Sequence, residues 1–324
     1  MRTIVACLPP DFPAALCAVV HVSPHSPGIL DRILERAGPL PAVMVNDEER
    51  LREGVIYVAR PDHHLIVEPS RLRATRGPKE NRFRPAVDPL FRSAAQTYGP
   101  RVIGVILTGG LDDGTAGLWA VKQLGGVAVV QDPNDAEVPS MPRNAREHVQ
   151  VDHCVALSRI PSLLVELTSQ DIAEAGGYSV PELTGIEVDI AKHNAALAAD
   201  IQALGEPSKY ACPECHGVLF QLKEGDRVRF RCHTGHAYSS EALMADMDHA
   251  IEENLWSSIR ALQEKVLLAR HLEAHARAQH DPRGAEILRE LAEHAQRRSD
   301  ALRRVVVEAE AVPADEISSV ASKV

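Results

Sequence analysis

Three short segments place reactive side chains where runs of β-branched residues end. In Val19–Pro24 an apolar run delivers His21 and then stops at a proline. In Ile106–Gly114 another apolar run enters a glycine-rich turn that contains Asp113, and Pro139–Arg143 is a turn bounded by two prolines. Reactive groups of an open parallel sheet gather beyond the carboxyl ends of its strands. The pattern therefore predicts that His21 and Asp113 meet there as the base and the orienting carboxylate of a Ser-His-Asp system.

Structural roles for the same residues stay open from the sequence. A histidine that ends a strand is commonly a hydrogen-bonded structural residue. Asp112 or Asp113 is a suitable N-cap for a helix that begins near Thr115. Phosphate binding by the glycine-rich turn is disfavoured, because its two acidic residues oppose an anion at a helix N-terminus.

The elements that must position these residues alternate between strand and helix up to about Leu167. Such alternation indicates an α/β fold with an open, mainly parallel, doubly wound sheet. The predicted strands are Ala15–Val22, Ala42–Val45, Gly54–Ala59, His64–Glu68, Val102–Thr108, Gly126–Gln131 and His153–Leu157. The predicted helices are Gly28–Arg36, Asp88–Tyr98, Gly114–Leu124, Pro142–Glu147 and Ile160–Thr168.

A second group of reactive residues has the spacing of a metal site. Cys212 and Cys215 form one C-x-x-C turn, and Cys232 and His236 form a second turn of the form C-x₃-H. Two such turns supply the four ligands of a tetrahedral Cys₃His zinc site, and a closed set of four ligands makes the metal structural. The segment between them alternates like two short strands around Glu224–Asp226. A hairpin this short buries little, so metal binding would supply much of its folding energy.

Alternatives to this zinc site are free thiols in two turns, or His233 as the fourth ligand. The other cysteines, Cys7, Cys17 and Cys154, are isolated and are predicted to be small buried residues. Nucleic-acid binding through the predicted hairpin is disfavoured because the adjoining helices are of mixed charge. The basic residues along that hairpin are Lys223, Arg227, Arg229 and Arg231.

The remaining sequence suggests a modular chain. An amphipathic helix is predicted over Ile186–Leu204, and two long helices around Asp281–Gly284 predict an antiparallel hairpin. This hairpin would form a homodimer, bind a partner, or pack on the rest of the chain. The predicted domains are the α/β domain at 1–168, a linker with a helix at 169–208, the metal module at 209–240, the helical hairpin at 241–312 and a flexible tail at 313–324.

Composition narrows the class of protein. The 324 residues carry a formal net charge of −10, which argues against a dedicated nucleic-acid binder. No apolar run reaches the roughly 20 residues that span a bilayer, and the N-terminus lacks the order of a signal peptide. Six cysteines in such a chain point to thiols or metal ligands rather than disulfides. The sequence therefore predicts a cytoplasmic protein without membrane insertion.

Taken together, the motifs HVSPHSPG, GVILTGGLDDGTAG and VPSMPRNA resemble the catalytic domain of the CheB protein-glutamate methylesterases. The resemblance covers about residues 1–168. It implies a doubly wound parallel sheet, a Ser-His-Asp triad, and hydrolysis of γ-glutamyl methyl esters or deamidation of glutamines on chemoreceptors. By the motifs, His21 and Asp113 take the places of the triad histidine and aspartate. Gly110 stands where the family usually has Met, and its backbone N–H keeps the donor of the oxyanion site. The cysteine module is similar to the zinc ribbon that follows stand-alone domains of this family.

The nucleophile departs from the family pattern. The family carries its serine in a G-x-S-x-G-G turn before the strand that bears the histidine, and no G-x-S-x-G occurs in this sequence. Either the start codon is assigned too far downstream, or the protein is a degenerate paralogue. Ser23, Ser26 and Ser140 are weak substitutes, because serines in such turns are mostly turn formers. We therefore expect little or no esterase activity from these 324 residues. The alternatives are a non-catalytic chemosensory adaptor and a zinc-ribbon regulatory protein.

Overall fold

The computed structural model describes residues 1–172, 178–192, 205–222 and 227–308. The chain divides into two compact units, one spanning Met1–Leu243 and a second that begins at Met244. The helices are α1 Arg2–Ala6, α2 Leu30–Glu35, α3 Val87–Tyr98, α4 Thr115–Gln123, α5 Ser140–His148, α6 Ile160–Thr168, α7 Glu182–Ala191, α8 Ser240–Ala278 and α9 Pro282–Glu308. Among the described residues, no helix is both long and apolar enough to cross a bilayer.

Two parallel three-stranded sheets form the centre of the first unit. One has the order β1 Leu16–Ala18, β4 Ile56–Ala59, β2 Ala42–Val45, and the other has the order β7 Ile103–Ile106, β8 Val127–Gln131, β9 His153–Val155. The sequence predicted one mainly parallel sheet, whereas the structure has two sheets that share their hydrophobic cores. Residues of α1, α2 and α6 pack with both sheets in one core, and residues of α3, α4 and α5 pack with both in another. This is an α/β architecture with helices on both faces.

A third sheet is antiparallel and corrects the prediction for His64–Glu68. That segment is a strand with the predicted bounds, β5, but it pairs in the order β3 Glu48–Arg50, β6 Arg71–Thr75, β5. Only two residues separate β5 from β6, and Ser70 takes the left-handed backbone conformation that such a turn requires. A parallel pair needs a crossover of about a dozen residues, so this spacing permits only a hairpin.

Four antiparallel strands follow α7 and form what we call the Cys-rich sheet. Its order is β10 Gly205–Ala211, β11 Val218–Leu222, β12 Arg229–Cys232, β13 Ala237–Ser239. The sequence predicted only the two central strands, because β10 is mostly polar without alternation and β13 has only three residues. The predicted turn at Glu224–Asp226 lies outside the described residues.

The remaining differences concern the C-terminal helices. The helix predicted over Ile186–Leu204 begins earlier, as α7, and its predicted part beyond Lys192 lies outside the described residues. The second hairpin helix, α9, begins at Pro282 rather than near Ala285, since proline is well accommodated in a first helical turn. The predicted tail at 313–324 also lies outside the described residues.

Candidate active site and metal cluster

His21 and Asp113 lie side by side although 92 residues separate them in the sequence. The Nε2 atom of His21 is 2.6 Å from Oδ2 of Asp113, whose side chain is fully buried. His21 follows the end of β1, and Asp113 lies in the turn between β7 and α4. The two side chains therefore converge beyond the carboxyl ends of parallel strands, where the sequence placed them.

The Asp113 carboxylate is held by several further donors. The backbone N–H groups of Val87 and Asp88 donate to it at 2.7 and 3.3 Å, and Nδ2 of Asn81 donates at 3.2 Å. Val87 and Asp88 form the first turn of α3, which has no side-chain cap of its own. Asp113 thus satisfies two free N–H groups of that helix, and the positive end of the helix dipole favours its ionised form.

These contacts fix the charge of Asp113. Burial raises the pKa of this carboxyl, but the hydrogen bond and charge of His21, with the donors from Val87 and Asn81, outweigh burial and hold it below its ordinary value. Because an ionised carboxylate only accepts hydrogen bonds, the proton of the shared bond belongs to Nε2 of His21. When the imidazole is neutral, Nδ1 therefore carries its lone pair, and no described residue hydrogen-bonds to Nδ1. The contact with Asp113 thus favours the tautomer that a general base requires.

The pKa values of two neighbouring carboxyl groups are shifted in the opposite direction, upward. Burial and the adjacent Asp113 charge raise the pKa of Asp88 to about 6. Burial and the charge of Glu241 raise the pKa of Asp112 well above its ordinary value, although a hydrogen bond from Ser239 partly opposes this. The sequence assigned Asp113 to the triad and left both Asp112 and Asp113 as possible N-caps of the following helix. The structure separates them, because Asp113 alone contacts the imidazole and Asp112 accepts the Ser239 hydroxyl at 2.7 Å.

Gly110 lies in the same turn, three residues before Asp113. It is exposed, and a Cβ built on it meets nothing within 4 Å, so a larger side chain fits there as in the family pattern. No described residue accepts a hydrogen bond from its N–H. The turn itself is fixed by Leu111, whose backbone is left-handed and whose carbonyl accepts a hydrogen bond from Asn144 of α5 at 3.0 Å.

The Glu80–Phe83 turn adds two contacts that the sequence did not predict. Its central residues, Asn81 and Arg82, have φ angles of 48° and 76°, and its end residues exchange backbone hydrogen bonds. Asn81 reaches Asp113 as described, and the Phe83 ring stacks on the His21 imidazole at 3.8 Å between centroids and 5° between planes. Asparagine favours such turns, which was the only local signal that sequence analysis had for this segment.

The four predicted metal ligands form one cluster. The ligand atoms of Cys212, Cys215, Cys232 and His236 all lie within 4.8 Å of one another. Sγ of Cys215 and Sγ of Cys232 are 3.6 Å apart, and Nδ1 of His236 is 3.7 Å from Sγ of Cys212. Zinc–sulfur bonds of about 2.3 Å in a tetrahedron place two sulfurs roughly 3.7 Å apart, so the donor set fits zinc.

The structure distinguishes between the two candidate histidine ligands and shows the exposure of the isolated cysteines. The His233 ring lies against Gly217 instead of in the cluster, so His236 is the histidine of the ligand set. Cys7 and Cys154 are exposed, and the prediction that they are buried was wrong. Cys154 lies in β9, an edge strand of its sheet, and Cys7 directly follows the end of α1.

Three buried arginines and two buried glutamates connect the Cys-rich sheet with α3 and α7. Arg231 of β12 donates to Glu187 of α7 at 2.6 Å and to Glu80 at 3.0 Å, and Arg229 donates to Glu187 at 2.7 Å. Arg92 of α3 pairs with the same Glu80. Two of the four basic residues of the predicted hairpin, Arg229 and Arg231, are therefore buried in ion pairs, which agrees with the expectation that the hairpin does not bind nucleic acid.

The comparisons with known proteins identify the family of the α/β part. The family model for CheB methylesterase matches residues 1–164. A Leptospira interrogans protein named "Putative protein-glutamate methylesterase/protein-glutamine glutaminase" is 37% identical over 175 residues, which are 54% of this chain and 91% of that protein. The chain belongs to the CheB methylesterase family.

Other proteins of this family match a similar share of the chain. The protein-glutamate methylesterase FrzG of Myxococcus xanthus is 34% identical over 50% of this chain and 49% of its own length. The crystal structure of the Thermotoga maritima CheB methylesterase catalytic domain is 32% identical, with a TM-score of 0.49, over 51% of this chain and 90% of that one. The family model ends at residue 164, so the Cys-rich sheet and the helical hairpin are interpreted from this chain alone.

No hydrogen bond of His21 within the described residues reaches a serine. Ser23 instead accepts the backbone N–H of His25 at 3.3 Å, and Ser26 donates its backbone N–H to the Ser23 carbonyl. Ser140 is the first residue of α5. None of the three serines that the sequence suggested is thus placed as the partner of His21.

Proposed function

We propose that the chain is a hydrolase of γ-glutamyl methyl esters, and of glutamine side chains, on methylated chemoreceptors. The observation that carries this proposal is the 2.6 Å contact between His21 and the buried, ionised Asp113 in a member of the CheB family. The family relationship supplies the substrate class, since related proteins are named methylesterases and glutaminases.

In this mechanism His21 is the base and Asp113 its positioning partner. Nδ1 of His21 takes the proton of a serine hydroxyl as its oxygen attacks the ester carbonyl, and the Gly110 N–H donates to the developing oxyanion. The proton then passes to the departing methoxide, which leaves as methanol. Water hydrolyses the acyl-serine by the same base and regenerates the hydroxyl. The 324 residues contain no G-x-S-x-G turn, so the serine is the one component that this sequence does not identify.

Methanol release from a methylated chemoreceptor tests the proposal. The protein should be purified with a C-terminal tag from cells that express it from its own gene, and compared with the 324-residue polypeptide made from Met1. We expect release by the native protein that His21→Ala removes, and little or none by the 324-residue polypeptide. Receptor binding without release by the native protein would instead favour the non-catalytic adaptor. Turnover by the 324-residue polypeptide that His21→Ala abolishes would contradict our prediction for it.

We further propose that the Cys₃His cluster holds a structural zinc ion and that the Cys-rich sheet is a zinc ribbon. The sheet is small, and its four ligands leave no position for a substrate. Metal analysis of the purified chain should give about one zinc per chain. Cys215→Ser should lose it, whereas Cys154→Ser, an exposed cysteine outside the cluster, should keep it.

The other predictions from the sequence remain as finer proposals. We place the α/β esterase domain at 1–168, the zinc ribbon at 209–240 and the helical hairpin at 241–312. We also propose a cytoplasmic location, because the described cysteines are all unpaired and a reducing compartment keeps them so.

A further inference from the structure

We propose that the zinc-loaded ribbon is part of the active site, because it holds the Glu80–Phe83 turn on the His21–Asp113 pair, with Asn81 as the positioning residue. This inference rests on the roles that the proposed function gives to His21 and Asp113. It assigns the C-terminal module a task in the reaction, which the family relationship does not supply.

The first observation is that strand β13 of the ribbon pairs with the turn through the backbone. The Asn81 N–H donates to the Ala237 carbonyl at 2.8 Å, and the Ala237 N–H donates to the Lys79 carbonyl at 3.2 Å. Ala237 directly follows His236, a predicted zinc ligand. Folding of the ribbon around its metal therefore determines where this strand can offer its hydrogen bonds.

The second observation is that the Asn81 side chain is shared between the ribbon and the triad carboxylate. Its Oδ1 accepts the Ser239 backbone N–H at 3.1 Å, and its Nδ2 donates to Asp113 at 3.2 Å and to Asp88 at 2.9 Å. Asn81 is only 5% exposed. The ribbon thus fixes the orientation of the Asn81 amide. In this orientation its NH₂ group points at Asp88 and at Asp113, the acid that contacts the imidazole.

The third observation is that the same turn determines the position of the imidazole from its other side. Phe83 stacks on His21, and Phe83 belongs to the same tight turn as Asn81. Glu80, the first residue of the turn, is bound by Arg231 of β12 at 3.0 Å, and Lys79 pairs with Glu214, which lies between two predicted zinc ligands. A displacement of the ribbon would therefore move both the carboxylate donor and the ring that supports His21.

The test measures the His21–Asp113 contact by NMR on the 324-residue chain with ¹⁵N-labelled histidine rings. A ring N–H that donates to a buried carboxylate gives a strongly downfield proton signal, which is assigned by its absence in His21→Ala. We expect Asn81→Gly to lose this signal or shift it upfield, since glycine keeps the left-handed backbone and removes only the amide. Asn134→Gly is the matched control, because this exposed asparagine also donates to an aspartate, Asp132, and should leave the signal unchanged.

Zinc removal is the second arm and needs no substitution at the turn. A chelator should abolish the signal of the wild-type chain and added Zn²⁺ should restore it, while circular dichroism confirms that the α/β part stays folded. A signal that survives in folded Asn81→Gly, or after complete zinc removal, overturns the proposal, and so does a chain that binds no zinc. If Asn81→Gly does not fold, the zinc arm decides alone.

The signal reports the contact whether or not an ester is hydrolysed. Failure of the proposed hydrolase function therefore shows as absent methanol release with the signal intact. If the ribbon does not position the pair, the signal stays intact in Asn81→Gly and after zinc removal.

Discussion

At the residue scale, the decisive group is the Asp113 carboxylate, which combines full burial with four donors. Three of these donors come from the chain around residues 81–88, and the fourth is His21. A buried carboxylate without such partners would be protonated, and the imidazole would then have no acceptor that selects its tautomer. The environment, rather than the residue type, distinguishes Asp113 from the neighbouring Asp112.

Replacing Asp113 by Asn removes the carboxylate that selects the His21 tautomer and preserves the size and shape of the side chain. An asparagine can offer its NH₂ group as well as its carbonyl to Nε2, so the other imidazole tautomer becomes populated. We expect methanol release by the native protein to fall by about 10⁴-fold, as for the equivalent change in serine proteases. Asp11→Asn, at an exposed position, is the control and should keep full activity. A loss smaller than tenfold for Asp113→Asn would remove this residue from the mechanism.

At the scale of elements, α3 and α4 must approach closely for Asp113 to reach the first turn of α3. Gly117 of α4 permits this approach, since a Cβ on it would lie 2.6 Å from Cβ of Phe91 and 3.0 Å from the Asp88 backbone. Its N–H also donates to the Asp88 carboxylate at 2.6 Å. The sequence showed only a glycine within a helical segment, and the reason for it lies in the neighbouring helix.

Two helical glycines give a matched test of this close approach. Gly117→Ala should lower the free energy of unfolding by about 1–3 kcal/mol, because backbone and Cβ atoms of α3 must move apart. Gly185→Ala in α7 should raise it by roughly 0.5–1 kcal/mol, because its Cβ meets nothing within 4 Å and alanine favours the helix. Urea unfolding of both variants measures the difference. Equal effects of the two substitutions would contradict the close approach.

The buried ion pairs that connect α7 with the ribbon predict a dependence on acid pH. Burial raises the pKa of Glu187, but the charges of Arg229, Arg92 and Arg231 outweigh it and hold the pKa well below its ordinary value. A carboxyl whose pKa is lowered by folding stabilises the protein above its unfolded pKa, near 4.3. That contribution is lost as the pH falls through the lower folded value.

Glu187→Gln removes this contribution and leaves arginines buried without their partner. We expect a loss of about 3–5 kcal/mol at pH 7 and a flatter loss of stability below about pH 4.3 than in the wild type. Glu182→Gln, on the exposed start of the same helix, should change stability by less than about 1 kcal/mol. Thermal unfolding across this pH range checks both statements. An unchanged acid dependence would show that the network does not titrate as described.

At the scale of the whole molecule, the second unit is a two-helix hairpin with little core of its own. Its buried cluster consists of Val266, Ala269, Ala292 and Ala295. Leu267, Leu268 and Ile287 are each more than half exposed. Of the three roles that the sequence left open for this hairpin, we propose association with a second copy of the chain.

Light scattering during gel filtration tests the homodimer directly. The expected mass is twice the 35.3 kDa of one chain, because exposed leucines and isoleucines of the hairpin would be covered by those of a partner. Leu268→Glu should return the mass to that of one chain. Lys265→Glu, which adds the same acidic side chain one turn away at a position that is already charged, should not. A single-chain mass for the wild type would contradict the homodimer.

The sequence by itself indicated the α/β class, the resemblance to the CheB family, the pairing of His21 with Asp113, and three cysteines with His236, or alternatively His233, as candidate metal ligands. Each of these depends on the order of residues within a short segment, such as an apolar run that ends at a reactive residue or two cysteines spaced for one turn. Only the tertiary structure gave Asp112 a separate partner in Ser239, placed His236 rather than His233 in the cluster, and buried Arg229 and Arg231 in ion pairs. It also revealed the Glu80–Phe83 turn as the contact between the ribbon and the candidate triad. Such features depend on the environment that distant segments create, and a single sequence does not record which distant segments meet.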